Sequence, residues 1–377
     1  MAIQSIDNLI NAISSGYTAR YDWNKITGAA AYTAGRWYGL ETLNGTPVAT
    51  AYPGTALVAQ TYQDITGDGT AAFGIQHGGN VSSSIKHLLN MAAWGTAATS
   101  VPTTLMLCDF LMAYPGINMN TLSAQTLITT NTFTASSSSG LLLTFSNDFT
   151  TYTQVRFTNS GGALPTGLTA GIDYWLVRVS ATTARVATSI ANAIAGTVVS
   201  YTDGGTGTHT LNVQIPRYTD GAGVRAFLEV RATTGAVAHN LAYSYTNQAG
   251  TNGKTNPVTV ACTASAIVPH ITHSGVAANN YGPFLPLAQG DTGIQSFQSV
   301  TLSAASGSAS TAVLVLVKPI AQITIGVASL MTEKDLLNQI PSLPVIKDTA
   351  CLGWIIGTGA ATAASTTFAG QTEYVWG

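Results

Sequence analysis

Apolar residues near the start of the chain recur at helical spacing. Ile3, Ile6, Leu9, Ile10 and Ile13 fall three and four residues apart, and Gly16 stops the run. A helix of about ten residues is marginal alone in water, so this stripe must dock on the body or on a neighbour. A second helical pattern runs from Ser82 through Trp94. Ser82, Ser83 or Ser84 caps it, and Ile85, Leu88, Leu89 and Ala92 form its apolar face. A third has Thr332 as cap, Asp335 at the capping-box position and Pro341 as its stop.

Between these, the pattern shifts to period two. The stretches 20–25 and 35–40 set aromatics between turn residues and read as strand edges, and residues 45 to 75 are dense in breakers. Thr104 to Met112 is a near-continuous apolar run of strand length, predicting a strand covered on both faces. Strands are also predicted at 223–231, 240–248, 298–303, 311–319, 351–357 and 372–376, with Gly-rich turn clusters between several of them.

The texture changes from residue 129 to residue 213. A serine run follows Asn131-Thr-Phe-Thr, and a Gly/Pro turn at Ala163 to Leu168 separates two Thr- and Val-rich segments. Tyr174 to Val179 alternates as a strand, and Arg185-Val-Ala-Thr repeats its chemistry. This reads as a small β domain set into a loop of the main body, since loop tips tolerate insertions best. The expected fold is therefore mainly β: a β-sandwich or jelly-roll-like body, 1–128 and 214–377, with a few short helices and an inserted small β domain, 129–213.

Charge alters the functional picture more than length does. Charged residues are 8% of the 377, against roughly 25% in an ordinary soluble domain. Net charge is −2. Such a surface gains little from counterion release, which argues against direct nucleic-acid binding. Disorder is disfavoured too, with 46% hydrophobic residues. A monomer this short of charge is poorly protected against association, and Ser, Thr, Asn, Gly and Ala surfaces suit an assembly. A secreted β protein with a soluble Ser/Thr face is the other reading of the same composition. No secretory signal opens the chain, and no segment approaches the ~20 apolar residues of a membrane span.

Candidate chemistry is sparse. Cys108, Cys262 and Cys351 are too scattered for a zinc or disulfide framework and read as small buried hydrophobes. Asp64-Ile-Thr-Gly-Asp-Gly resembles half a calcium loop but lacks its closing acid, so a hairpin turn is expected. His270 and His273 stand in an extended context with no carboxylate nearby in sequence, and His77 and His87 read as structural. No nucleophile elbow, phosphate loop or metalloprotease motif is present. Asp109, Asp148, Asp220 and Glu229 could hide a glycosidase pair, but capping, turn and edge-strand roles explain them. No catalysis, cofactor or metal is expected.

The inserted unit resembles a β module found in virion proteins of tailed bacteriophages. The matching residues are Leu164-Pro-Thr-Gly-Leu, Tyr174-Trp-Leu-Val, Ala181-Thr-Thr-Ala-Arg-Val-Ala-Thr-Ser and Gly204-Gly-Thr-Gly-Thr-His-Thr-Leu. The remainder resembles a group of phage structural proteins through Asp22-Trp-Asn-Lys, His77-Gly-Gly-Asn, the Leu285–Ile294 stretch and Asp335-Leu-Leu-Asn-Gln-Ile-Pro-Ser-Leu-Pro. The resemblance implies a capsid-associated decoration, cement or auxiliary shell protein. Its expected partners are copies of itself and other virion proteins, the major capsid protein foremost, with neither nucleic acid nor membrane. Assembly in the host cytoplasm and residence in the virion follow, with the stripe Ile3, Ile6, Leu9, Ile10 and Ile13 making contacts. A tail or fibre component with a glycan-binding role is the alternative, and a polysaccharide-active enzyme on a β scaffold the remote one.

Overall fold

The computed structural model describes residues 3, 5–49, 57–64, 74–97, 100–136, 142–275, 282–339 and 343–377. The chain is mainly β, 46% strand and 5% helix, with several antiparallel sheets in a β-sandwich-like body. Among the described residues the helices are α1, Ile6–Ser14; α2, Ile190–Ile194; and α3, Leu336–Gln339.

A central sheet forms the spine. Its order is Arg225–Val230, Thr311–Ile325, Thr103–Asn118, Leu352–Thr358 and Arg36–Gly39, with Gln60–Thr61 also on Thr103–Asn118. The two longest strands, Thr103–Asn118 and Thr311–Ile325, pair along their whole length, and register shifts let them bend. The apolar run read at Thr104 to Met112 lies here, and Leu105, Leu107, Phe110, Leu111 and Met112 are all fully buried. An outer sheet pairs Thr332–Asp335, Lys86–Gly95, Thr367–Trp376, Thr18–Ile26 and Gly45–Thr46 in that order. Trp23, Leu88, Met91, Phe368 and Tyr374 from it share one core cluster with Leu105, Leu107 and Trp354 of the central sheet. A third sheet is built around His239–Asn247 and Ile294–Leu302. It shares a second cluster with Leu111, Met112, Leu314 and Leu316. Long strands thus serve two layers in turn.

The two outer strands of the central sheet are stitched together. Gly39 N–H donates to Pro269 O at 3.1 Å and Ile271 N–H to Trp37 O at 2.9 Å. On the other edge Val230 N–H donates to His270 O and Thr272 N–H to Leu228 O, each at 3.0 Å. Residues 269–272 therefore bond to both edges with His270 in extended backbone, whereas His273, expected in the same extended segment, lies in the turn that Ser274 N–H closes onto Ile271 O at 2.9 Å.

The strands Thr130–Ser136, Leu142–Phe145, Gln154–Ser160, Asp173–Ser180, Thr183–Ala187 and Thr208–Val213 close into a six-stranded barrel. Phe133, Leu143, Phe157, Leu176, Val186 and Leu211 are buried, while Thr132, Thr134 and Thr144 alternate outward. The body meets the barrel through Gln60 Nε2 to Asp148 O at 3.1 Å and Gln63 Nε2 to Tyr152 O at 2.6 Å.

One predicted helix is a strand and another is strand in its first half. Ser82 to Trp94 contains the strand Lys86–Gly95, opened by a turn with Ser83 at φ +75°. A register shift leaves Leu89 unpaired between Leu88↔Tyr374 and Asn90↔Glu373. That extra residue stretches the inward pair Leu88 and Met91 to a spacing of three, which imitates a helical face. Ile85 is left 40% exposed. In the stretch after Thr332, residues Thr332–Asp335 pair with Asn90–Ala93 and helix follows only as the single turn α3. Asp335 caps that turn, its Oδ1 accepting from Leu337 N–H at 2.9 Å. Pairing to an open sheet edge outweighs local propensity here. Pro341, most of the calcium-like loop after Asp64 and the serine run 137–139 lie outside the described residues.

Asp109 and Glu229, read as capping, turn or edge-strand acids, are completely buried in strands of the central sheet, Asp109 on an inner strand and Glu229 on an outer one. Asp109 lies between Leu107 of one cluster and Leu111 of the other. Arg217 reaches it bidentately, Nε to Oδ2 at 2.8 Å and Nη2 to Oδ1 at 2.6 Å. Arg217 also donates to Tyr62 O and Phe110 O, and Cys351 N–H donates to Asp109 Oδ1 at 3.0 Å. Each nitrogen of the guanidinium and each oxygen of the carboxylate in this buried pair has a hydrogen-bond partner. The substitution Arg217→Ala leaves a lone buried carboxylate and is expected to cost about 3–5 kcal/mol in urea unfolding. A loss under about 1 kcal/mol, the range of exposed pairs, would show that water relieves the pair. A chain of residues 129–213 alone is expected to melt cooperatively, because the barrel closes on its own strands; a broad, non-cooperative melt would make it dependent on the body.

Candidate functional site

Helix α1 begins where Ser5 accepts from Asn8 N–H at 3.1 Å. Leu9 and Ala12 are buried against Val375, with Ile3, Leu89 and Leu343 packed around them. The remaining members of the predicted stripe face away: Ile6 is 60% exposed, Ile10 56% and Ile13 46%. The stripe is thus divided between a docked side and an open one. The open side has company. Ile26, Val48, Val327, Leu330, Met331 and Val345 are also exposed large apolar residues. All belong to strands of the outer sheet or to segments entering and leaving them.

Inside the body the ionisable groups converge in three further places. Glu229 is fully buried and Glu41 nearly so. A side chain on Gly39 would strike Oε2 of both, so only glycine fits between the carboxyls. Arg231 Nη1 donates to Glu229 Oε1 at 2.7 Å and to Thr42 Oγ1 at 3.2 Å. Burial, then the neighbouring Glu41, pushes the Glu229 carboxyl well above the usual carboxylate range. This arrangement can hold a proton, but it is walled off from any polysaccharide. Asp148 and Asp220, the other acids singled out from sequence, lie elsewhere: Asp148 pairs with Arg178 at 2.7 Å, and Asp220 accepts from Ala222 N–H in a turn.

The second cluster comprises Asp64, His77, Lys86 and Asp348. Asp64, His77 and Lys86 are buried, and Asp348 is partly open. His77 Nε2 lies 2.9 Å from Ala350 O and 3.9 Å from Asp64 Oδ2, and Nδ1 lies 3.0 Å from Lys86 Nζ. Sequence reasoning took His77 as structural and passed over Lys86, since nothing local reveals that a lysine opening a strand points inward. The third buried set, His270 and His273, holds no carboxylate partner among the described residues. His273 Nε2 accepts from Leu228 N–H at 3.4 Å. All three cysteines are free and buried, and burial pushes their thiols up.

On the barrel an uncharged cleft of about 780 Å³ is lined by Thr132, Thr134, Thr144, Ser146, Thr206 and His209, among others. His209 is fixed by Asn159 Nδ2 at 2.7 Å and Gly204 O at 2.9 Å. Among the described residues no group of three or more His, Cys, Asp or Glu could hold a metal ion. No described helix is long and apolar enough to cross a membrane.

No protein-family model matches the chain, and no curated protein matches it. Among solved structures, a crystal structure of the infectious bursal disease virus VP2 subviral particle aligns over 95% of this chain and 80% of that one. Identity is 11% and the TM-score 0.15. T=1 particles derived from infectious bursal virus align over 95% and 77%, at 10% identity and a TM-score of 0.16. At such TM-scores neither likeness carries an argument about this chain.

The buried imidazoles set a pH dependence. Burial holds His77 at about 4 and His270 and His273 at about 3, against 6.5 when free. Below pH 6.5 the unfolded chain takes up protons that the folded one refuses. Stability is therefore full above 6.5 and falls as pH drops toward 4, by about 1.4 kcal/mol per histidine per pH unit. Glu229 acts oppositely: its contribution is present below 4.5 and lost as pH rises, because the unfolded carboxyl ionises first. Urea midpoints measured across pH 4.5 to 8 are expected to fall steeply on the acid side. Glu229→Gln is expected to steepen the acid limb, where the carboxyl offsets part of the histidine slope, and to flatten any decline above pH 6.5; a flat acid limb in that variant would contradict the neutral buried histidines.

Proposed function

We propose that this chain is a structural component of a virion, of the capsid-associated decoration or auxiliary-shell kind found in tailed phages, and that it docks through the layer made by the outer sheet and α1. The observation that carries the reading is the open face of α1, where Ile6, Ile10 and Ile13 are exposed while Leu9 and Ala12 are docked. On a surface with so few charges, such a patch is a contact surface. The resemblance of the 129–213 unit to phage virion modules supports the same reading, as does the absence of a strong charge of either sign for steering nucleic acid. Copies of this chain and the major capsid protein are the partners it fits. The barrel then projects from a docked body.

A second reading rests on the barrel cleft. Its hydroxyl-rich, uncharged lining suits a neutral glycan, which would place the chain in a tail or fibre as an adhesion component.

Quantitative mass spectrometry of purified particles tests the first reading: the chain is expected at a copy number commensurate with the shell. Ile6→Ser, Ile10→Ser and Ile13→Ser combined are expected to leave the fold intact, because these side chains are already exposed, and to reduce incorporation at least tenfold. A copy number of a few per particle, or incorporation indifferent to the triple substitution, would overturn the shell placement and favour the tail.

A further inference from the structure

Lys86 begins its strand with a side chain that turns inward and is 1% exposed. Its Nζ meets three acceptors: His77 Nδ1 at 3.0 Å, Gly79 O, and Asp348 Oδ1 at 3.2 Å. Burial favours the neutral amine and lowers the Lys86 pKa, with Asp348 pulling the other way. His77 is held for the matching role. Its Nε2–H donates to Ala350 O, which leaves the Nδ1 lone pair facing Lys86. Burial and the neighbouring Lys86 keep the ring in its neutral, basic form. Asp64, 3.9 Å from Nε2, faces the proton-bearing side of the ring. The Asp348 carboxyl has its own donor, Val81 N–H, 3.3 Å from Oδ1. A nucleophile, a base, a carboxylate beside the base, an acyl group and a backbone donor for a developing oxyanion thus meet in one cluster, each in contact with the next.

We propose that Lys86 and Asp348 condense into an intramolecular isopeptide bond, with His77 as the catalytic base, Val81 N–H as the oxyanion donor and Asp64 as a positioning residue. The ion pair first passes a proton from Nζ to the carboxyl, giving an amine and an acid. Nζ bonds to Cγ, and the carbonyl electron pair moves to Oδ1 under Val81 N–H. His77 Nδ1 takes a proton from the now cationic nitrogen and returns it to Oδ2. The Cγ–Oδ2 bond breaks, the carbonyl re-forms, and one water leaves through the side of Asp348 that is open to solvent, 30% exposed. Nothing is oxidised or reduced, no co-reactant enters, and His77 ends neutral as it began.

Exchange of a desolvated ion pair for a neutral amide favours the product, since each buried charge carries a penalty of several kcal/mol. The bond would bolt the first residue of the outer-sheet strand Lys86–Gly95 to the turn leading into the central-sheet strand Leu352–Thr358. Two layers held by packing would gain a covalent tie. This inference is independent of where in a particle the chain resides.

Intact-mass measurement of the denatured full-length protein tests it. The expected result is a mass one water below that of the sequence, with a branched peptide joining the segments of Lys86 and Asp348 after digestion. Lys86→Arg and Asp348→Ala are each expected to restore the full mass, and His77→Gln to slow the loss at least tenfold. The decisive reading is on the unsubstituted chain, so a variant that fails to fold cannot obscure it. The full sequence mass after prolonged incubation of the folded protein, meaning a satisfied buried ion pair only, would overturn the proposal. So would a water loss that persists in Asp348→Ala.

Discussion

The body depends on the contact between Asp109 and Arg217. The two apolar clusters beneath the outer and third sheets meet along the same long strand, and Asp109 stands at the join. A carboxylate there has no water, so it must be paired and saturated with hydrogen bonds or it will unfold its surroundings. Arg217 does this from just beyond the last barrel strand. The same side chain binds the carbonyls of Tyr62 and Phe110, so one guanidinium fixes the barrel's exit, the central sheet and the Gln60–Thr61 strand together. A bidentate ion pair adds geometric specificity to the apolar packing around it.

The shortage of charge becomes sharper once the interior is counted. The chain has thirty Lys, Arg, Asp and Glu residues, and Lys25, Glu41, Asp64, Lys86, Asp109, Arg217 and Glu229 are buried. The surface is therefore poorer in ionic groups than the composition implies. What repels copies of most soluble proteins is largely missing here, and salt can screen little that remains. The exposed apolar residues of α1 and the outer sheet lie on that weakly charged background, where association faces little electrostatic opposition.

The β class was legible because it rests on period-two alternation and Gly-rich turns, and strands such as Arg225–Val230 and His239–Asn247 fall within two residues of where alternation places them. The two misread helices share one cause. At Leu89 a bulge inserts a residue, and after Thr332 a capping signal sits on a stretch that a sheet edge captures. In both, the deciding partner is distant in sequence. The buried clusters were illegible for a related reason. Lys86 and Asp348 lie 262 residues apart in number, and Glu41 meets Glu229 only because Gly39 leaves room between them. Composition reports how many such groups exist; only the fold reports which of them share a dry space. The N-terminal stripe was half legible: its periodicity announced a helix, but not that Leu9 would dock while Ile6, Ile10 and Ile13 remained open.

Strand edges complete the argument for a directional surface. The barrel has none, and residues 269–272 bond to both edges of the central sheet. The outer sheet is different. Gly45–Thr46 pairs only with Asn24 and Lys25, so the edge of Thr18–Ile26 from Thr18 to Asp22 carries no pairing strand among the described residues. Arg20 and Asp22 are exposed along it, and charged side chains on an open edge discourage indiscriminate strand addition. The outer sheet thus keeps an open edge on the layer whose flanks expose Ile6, Ile10 and Ile13, and blunts it with charge. Association through side chains of the outer layer, and not through backbone pairing, is the mode this arrangement permits.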